Sequence, residues 1–223
     1  MSSSHSVRPR RSCLYMPGAN ARALEKASGL PADVLLLDLE DAVAPEAKVS
    51  ARDAVCDAVA ARPYGRREVV IRINGLETGW GSADLEAAVA AGADAILAPK
   101  VGSAADIAAL DEAMTRAGAP ADMGLWAMIE TPIAILNIVE IARSSEISRL
   151  STLVVGTNDL AKEMGVDPEP DRLCFLKALT MTVLAARAFG LAAIDGVYND
   201  IGNTPGLLAE ARQGRQLGFD GKT

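Results

Sequence analysis

The stretch GLWAMIETPIAIL, residues 124–136, changes character in its middle. Its first half is a short, almost wholly apolar run that ends on one carboxylate, Glu130. A Thr-Pro pair then opens an amphipathic segment, Pro132–Ser144. A short run that is apolar on both faces predicts a strand covered on both sides, and an immediate helix makes it a parallel β/α unit. The terminal acid adds a second inference. An ionised carboxylate is expensive to remove from water unless it is paired or holds a cation, so Glu130 is a candidate functional residue.

The same unit recurs along the chain. Apolar runs stand at CLYM (13–16), VLLLDLE (34–40), VVIRI (69–73), AILAPK (95–100), TLVVGT (152–157) and AAIDGVY (192–198). Amphipathic stretches such as Pro45–Ala61, Ser103–Ala117 and Arg172–Phe189 lie between them. No Pro/Gly/Ser-rich linker or charge run divides the series, so residues 12–223 are expected to form one domain. Residues 1–11 are expected to be a disordered basic arm. Seven strands with an eighth starting in GFDGKT predict a (β/α)8 TIM barrel whose last unit and C-terminal region are short or missing. A doubly wound sheet is the alternative, but the GxGxxG fingerprint between a first strand and its helix is absent.

Composition narrows the function. The 223 residues are 50% hydrophobic, only 4% are aromatic, and the net charge is -7. An acidic chain with pI near 4.8 lacks the basic footprint of a nucleic-acid binder. No apolar run approaches the roughly 18 to 20 residues that span a bilayer, and the polar start has no signal-peptide core. Cys13, Cys56 and Cys174 form no CxxC pair, so reduced cysteines in a cytoplasmic protein are expected. The single histidine, His5, lies in the basic arm. A His-dependent triad or a His-ligated zinc is therefore not expected, which leaves carboxylates, Lys, Arg, Tyr, water or a hard metal ion.

Polar residues cluster where the predicted strands end: Asp38, Glu40 and Asp41, Arg72 and Asn74, Lys100, Glu130, Asp159 and Asp195. In a barrel those ends share one rim, the usual place for an active site. Glu130 and Asp159, from neighbouring strand ends, can reach one hard cation such as Mg²⁺; alternatively, Asp159 caps its loop and Glu130 pairs with a nearby base. Arg72 suits a carboxylate or an enolate-like oxygen, or a salt bridge to Asp38 or Glu40. Lys100 is either a rim cation or a surface lysine. Asp195 either orients substrate or satisfies backbone donors, and the second is favoured. The Pro-Gly turn of YMPGANARALEKA puts Gly18, Arg22 and Lys26 beside a helix start, which suits a phosphate or is simply a turn.

In their order along the chain, LYMPGANARALEKA, LLLDLEDAVAPEAK, VVIRING, ILAPKV, AMIETPIAI, VVGTNDLA and AIDGVYNDI resemble the citrate lyase β-subunit-like proteins. These belong to the HpcH/HpaI aldolase superfamily, which includes malyl-CoA and citramalyl-CoA lyases. The resemblance runs from about Ser12 to Lys222. It implies a TIM barrel, usually trimeric, that cleaves or forms a carbon–carbon bond in a 3-hydroxyacyl thioester of malyl, citramalyl or citryl type. It further implies Mg²⁺, a CoA or acyl-carrier thioester and a 2-oxo acid. Glu130 and Asp159 match the metal ligands, and Arg72 matches the substrate-binding arginine, with Glu130 also against the substrate. The loop of Gly18, Arg22 and Lys26 corresponds to the phosphate contact of CoA. Asp38, Glu40, Asp41, Lys100 and Asp195 are expected to support this set. After GxxGK the family continues with an Ile-His-Pro segment and helical region, whereas this sequence ends at Thr223. Two alternatives are a class II aldolase on free 2-oxo acids and a non-catalytic thioester-binding subunit.

Overall fold

The computed structural model describes residues 8–167 and 170–223. Strands and helices alternate in the order β1 (Cys13–Pro17), α1 (Ala21–Ala27), β2 (Val34–Asp38), α2 (Lys48–Ala60), β3 (Glu68–Arg72), α3 (Gly81–Ala91), β4 (Ala95–Ala98) and α4 (Ala104–Arg116). They continue with β5 (Gly124–Ile129), α5 (Pro132–Leu136), α6 (Ile138–Arg143), β6 (Leu150–Val155), α7 (Thr157–Met164), α8 (Leu176–Ala188), β7 (Ala192–Asp195), α9 (Thr204–Leu217) and β8 (Gly221–Lys222). Each strand pairs in parallel with the next, in the sequence order of a β/α barrel. The expected eighth strand is present but only two residues long. It closes the ring through one parallel bridge, Ser12 to Lys222, and a 3.1 Å bond from the Lys222 amide to the Arg11 carbonyl.

Alternation along the strands builds two cores. Cys13, Val34, Leu36, Val70, Leu97, Trp126, Met128, Val154 and Ile194 fill the barrel interior. Their neighbours, among them Leu35, Leu37, Ile71, Leu125 and Ala193, pack beneath the helices. Because the period is two, Arg72 continues the inward row of Val70 and Asp38 continues that of Val34 and Leu36. Asp195 instead follows Ala193 on the outward row.

Two expectations change locally. The segment predicted as one helix from Pro132 to Ser144 is broken at Asn137, whose backbone leaves the helical region and whose amide donates to the Gly102 carbonyl at 2.8 Å. The arm expected to be disordered through residue 11 is held over residues 8–11, because its guanidiniums find acids at the barrel floor. Arg8 pairs with Asp94, Arg10 with Glu68 and Arg11 with Asp33. Arg10 also lies over the Trp126 ring at 4.8 Å. His5 lies outside the described residues. Cys13, Cys56 and Cys174 are unpaired, and among the described residues no helix is long and apolar enough to cross a membrane.

Candidate active site at the barrel mouth

Glu130 follows β5 and is buried at the mouth, 1% exposed. Its Oε1 accepts the Lys100 amide at 2.7 Å. That amide is aimed by a left-handed backbone at Lys100, φ 51°, a conformation uncommon for a residue with a side chain and often found at functional sites. Loss of water is the main influence on the Glu130 carboxyl and lifts its pKa to about 7; the Lys100 amide works against this, while Glu40 and Asp159 add to it. Gly156 supplies the space: a Cβ there would stand 2.5 Å from both Cβ and Oε2 of Glu130. Asp159, half-buried, lies in the first turn of α7.

Across the mouth, Arg72 is clamped by carboxylates. Its Nε and Nη2 donate to the two oxygens of Asp38 at 2.7 and 2.6 Å, a bidentate fork that fixes the guanidinium plane. Nη1 donates to Asp41 at 3.2 Å and lies 3.0 Å from Glu40 Oε2, an ion-pair contact outside hydrogen-bond geometry. The guanidinium stacks on the Tyr15 ring at 4.9 Å. Burial works against its charge, but Asp38 outweighs it and the pKa is raised. Lys100 Nζ reaches Glu40 at 2.9 Å, so it is a rim cation rather than a free surface lysine. Glu40 is pushed upward chiefly by burial, with Arg72 and Lys100 pulling it back.

Thus Asp38, Glu40, Asp41, Arg72, Lys100 and Glu130 form one continuous set of contacts, with Asp159 acting on Glu130 through its charge. Other expectations are corrected. Asn74 does not face the mouth; its amide serves the Leu39 carbonyl and the buried Asp84. Asp195 stands away from the lumen rather than beside the mouth, but it does take the favoured supporting role: its Oδ1 accepts the Gly196 amide at 2.8 Å and pairs with Arg172 at 2.8 Å, in a cluster with Glu210 and Lys222. The Gly18 amide is not available to a phosphate, because it donates to the Asp38 carbonyl at 2.9 Å. Gly18 is required for that close approach, since a Cβ would lie 2.6 Å from the same oxygen. Arg22 and Lys26 remain exposed on α1.

The sequence reading missed Lys48, Tyr15 and Arg172. Lys48 Nζ donates to the carbonyls of Leu39 and Glu40 and so fixes the turn that presents Asp38 and Glu40. Its only sequence signal was a lysine among otherwise apolar helix positions. Arg172 carried no local signal.

The donor set fits a hard divalent cation. Glu130 and Asp159 offer oxygen alone, and among the described residues no group of three or more His, Cys, Asp or Glu side chains forms a protein cage. Two carboxylates with the remaining positions left to water or substrate oxygen is the Mg²⁺ pattern. The raised Glu130 carboxyl, short of partners, is the group a cation would compensate.

A parallel β/α barrel with an acidic pair and a clamped arginine at the C-terminal ends of its strands defines the enzyme class. Residues 11–223 match the HpcH/HpaI aldolase/citrate lyase family, and the chain belongs to that family of lyase-type enzymes. It is 51% identical over 219 residues to a (3S)-malyl-CoA thioesterase of Cereibacter sphaeroides, covering 98% of this chain and 74% of the relative. It is 39% identical over 222 residues to citrate lyase subunit beta of Escherichia coli, covering 97% and 73%. The solved structure of CitE from Mycobacterium tuberculosis with magnesium, acetoacetate and coenzyme A superposes with a TM-score of 0.80 at 30% identity, covering 97% of this chain and 76% of that one.

Proposed function

We propose that the chain is a Mg²⁺-dependent carbon–carbon lyase acting on a malyl-type 3-hydroxyacyl-CoA. The observation that carries this reading is Glu130: a buried carboxylate with one amide partner, beside Asp159 and facing an arginine already oriented by Asp38. The malyl-CoA and CoA named for the relatives supply the substrate class. Glu130 and Asp159 would hold the cation, whose chemistry is to polarise the oxygen of the 2-oxo acid and orient its carboxylate.

The chain's residues account for charge control. In cleavage the 3-hydroxyl gives its proton to water, and as C3 becomes the carbonyl of the departing 2-oxo acid the C2–C3 bond breaks. Its electron pair moves into the thioester to form an enolate, which takes a proton at C2. Arg72 offers its fixed guanidinium to the oxygen on which negative charge develops, an effect strengthened in a mouth poor in water. Asp38 and Glu40 hold that guanidinium in place, and Lys100 joins Glu40 to Glu130. Arg22 and Lys26, on the exposed face of α1, are assigned to the CoA phosphates without help from the Gly18 amide. A homotrimer in the cytoplasm completes the reading. The unpaired cysteines support the compartment, and the exposed Ile133, Leu136 and Val139 give an apolar face for association.

Hydrolysis of the same thioester is a second reading, favoured by the 51% identity to a thioesterase. One assay separates them. With malyl-CoA and Mg²⁺, the lyase yields glyoxylate, trapped as a hydrazone, and acetyl-CoA. Hydrolysis yields free CoA thiol and malate without glyoxylate. Turnover of neither kind, or turnover that is unchanged in Glu130→Gln, overturns the assignment.

A further inference from the structure

The barrel floor, opposite the mouth, concentrates positive charge that the chemistry above does not use. Arg8, Arg62, Arg66 and Arg67 line one cavity of about 170 Å³ together with Tyr64 and Asp94. Its walls come from the segment before β1 and from the α2–β3 and α3–β4 loops. All three lead into strand N-terminal ends, so the cavity is on the far side of the barrel from Glu130.

Four guanidiniums here meet one carboxylate, and that carboxylate is fully engaged. Asp94 Oδ1 accepts from Arg8 at 2.8 Å and Oδ2 accepts the Val69 amide at 2.8 Å. The next acid, Glu68, is held by both arms of Arg10. Arg67 gives Nε and Nη2 to the Leu30 carbonyl and Nη1 to that of Tyr64. Those bonds fix its plane without neutralising its charge. Arg62 and Arg66 have no carboxylate partner among the described residues. Arg62 has a left-handed backbone, φ 51°, and its Nη2 lies over Gly92, where a Cβ would be 3.1 Å away. In a chain of net charge -7, this cluster is a local feature and not a sign of general basicity.

We propose that this floor cavity binds a phosphate or diphosphate group. Planar guanidinium forks with spare donors match phosphate oxygens, and the volume suits one or two phosphates but not a whole nucleotide. The group comes either from free inorganic anions or from the phosphate tail of a nucleotide. Bound there, it would tie together three segments of the floor, the face of a β/α barrel that governs stability, and raise the melting temperature by mass action.

The test is calorimetric titration and thermal unfolding of the full chain in EDTA at constant ionic strength. The probes are orthophosphate, diphosphate and ATP. Saturable binding is expected, with diphosphate about tenfold tighter than orthophosphate because it spans more guanidiniums. Arg62→Ser/Arg66→Ser should weaken binding at least about tenfold, while Arg116→Ala, altered at an exposed arginine on α4 already paired with Glu112, should leave it unchanged. ATP binding as tightly as diphosphate identifies a nucleotide tail as the source, and weaker ATP binding identifies the free anion. Should the double variant fail to fold, the exposed Arg66→Ser alone must still show a loss. No saturable binding of any probe, or unchanged binding in a folded variant, overturns the proposal.

Discussion

Replacing Glu130 with Gln isolates the cost of keeping a carboxylate in the barrel mouth. Burial lifts its pKa from 4.5 to about 7. Because the folded value exceeds the unfolded one, the ionised group opposes folding. The penalty is complete above the folded value and fades as the pH falls toward the unfolded one. At about 1.4 kcal/mol per pH unit of displacement, the metal-free fold loses about 3 kcal/mol near pH 8 and about half of that near pH 5.5. Gln keeps an acceptor for the Lys100 amide and removes the charge. In EDTA the variant should therefore be more stable than wild type by about 3 kcal/mol near pH 8, with the gap shrinking on acidification. Urea unfolding followed by far-UV circular dichroism measures it. Excess MgCl₂ should narrow or reverse the gap, since only wild type gains binding energy. A variant no more stable than wild type in EDTA near pH 8, or a gap insensitive to pH, refutes the reasoning.

Other substitutions probe the supporting contacts. Arg72→Lys exchanges a two-bond fork on Asp38 for a point charge and should lower kcat/KM about 100-fold, a loss of transition-state charge stabilisation readable in steady-state kinetics. Gly156→Ala would place a methyl 2.5 Å from Glu130. It should weaken Mg²⁺ binding by about tenfold or more in calorimetric titration, because a carboxylate that holds a metal ion tolerates little displacement. Arg172→Ala removes the nearest counter-charge of the buried Asp195, leaving Lys222 at 3.8 Å, and should cost about 3 kcal/mol in urea unfolding, without changing Mg²⁺ affinity.

The repeating strand–helix units and the acids at their ends could be read directly, because apolar period and the position of a charge at a run's end are local properties. The five-residue runs Val34–Asp38 and Glu68–Arg72 are buried along their whole length, as parallel strands between a filled lumen and a helix layer must be. The same local view grouped Asp195 with Glu130, since both stand at strand ends. Strand alternation separates them: Glu130 continues the inward row of Trp126 and Met128, and Asp195 the outward row of Ala193.

By itself the sequence determined the barrel class, the order of its units and the residues available for chemistry, because each is encoded within a few neighbouring positions. Tertiary structure alone decided which of those residues meet. The Asp38–Arg72 fork spans 34 positions and the Lys100–Glu40 pair 60. The closure of Ser12 on Lys222 and the gathering of Arg8 with Arg62, Arg66 and Arg67 likewise depend on the ring being completed. The physical reason is that hydrophobic periodicity fixes a local conformation, whereas ion pairing and desolvation depend on distances that exist only after the strands have come together.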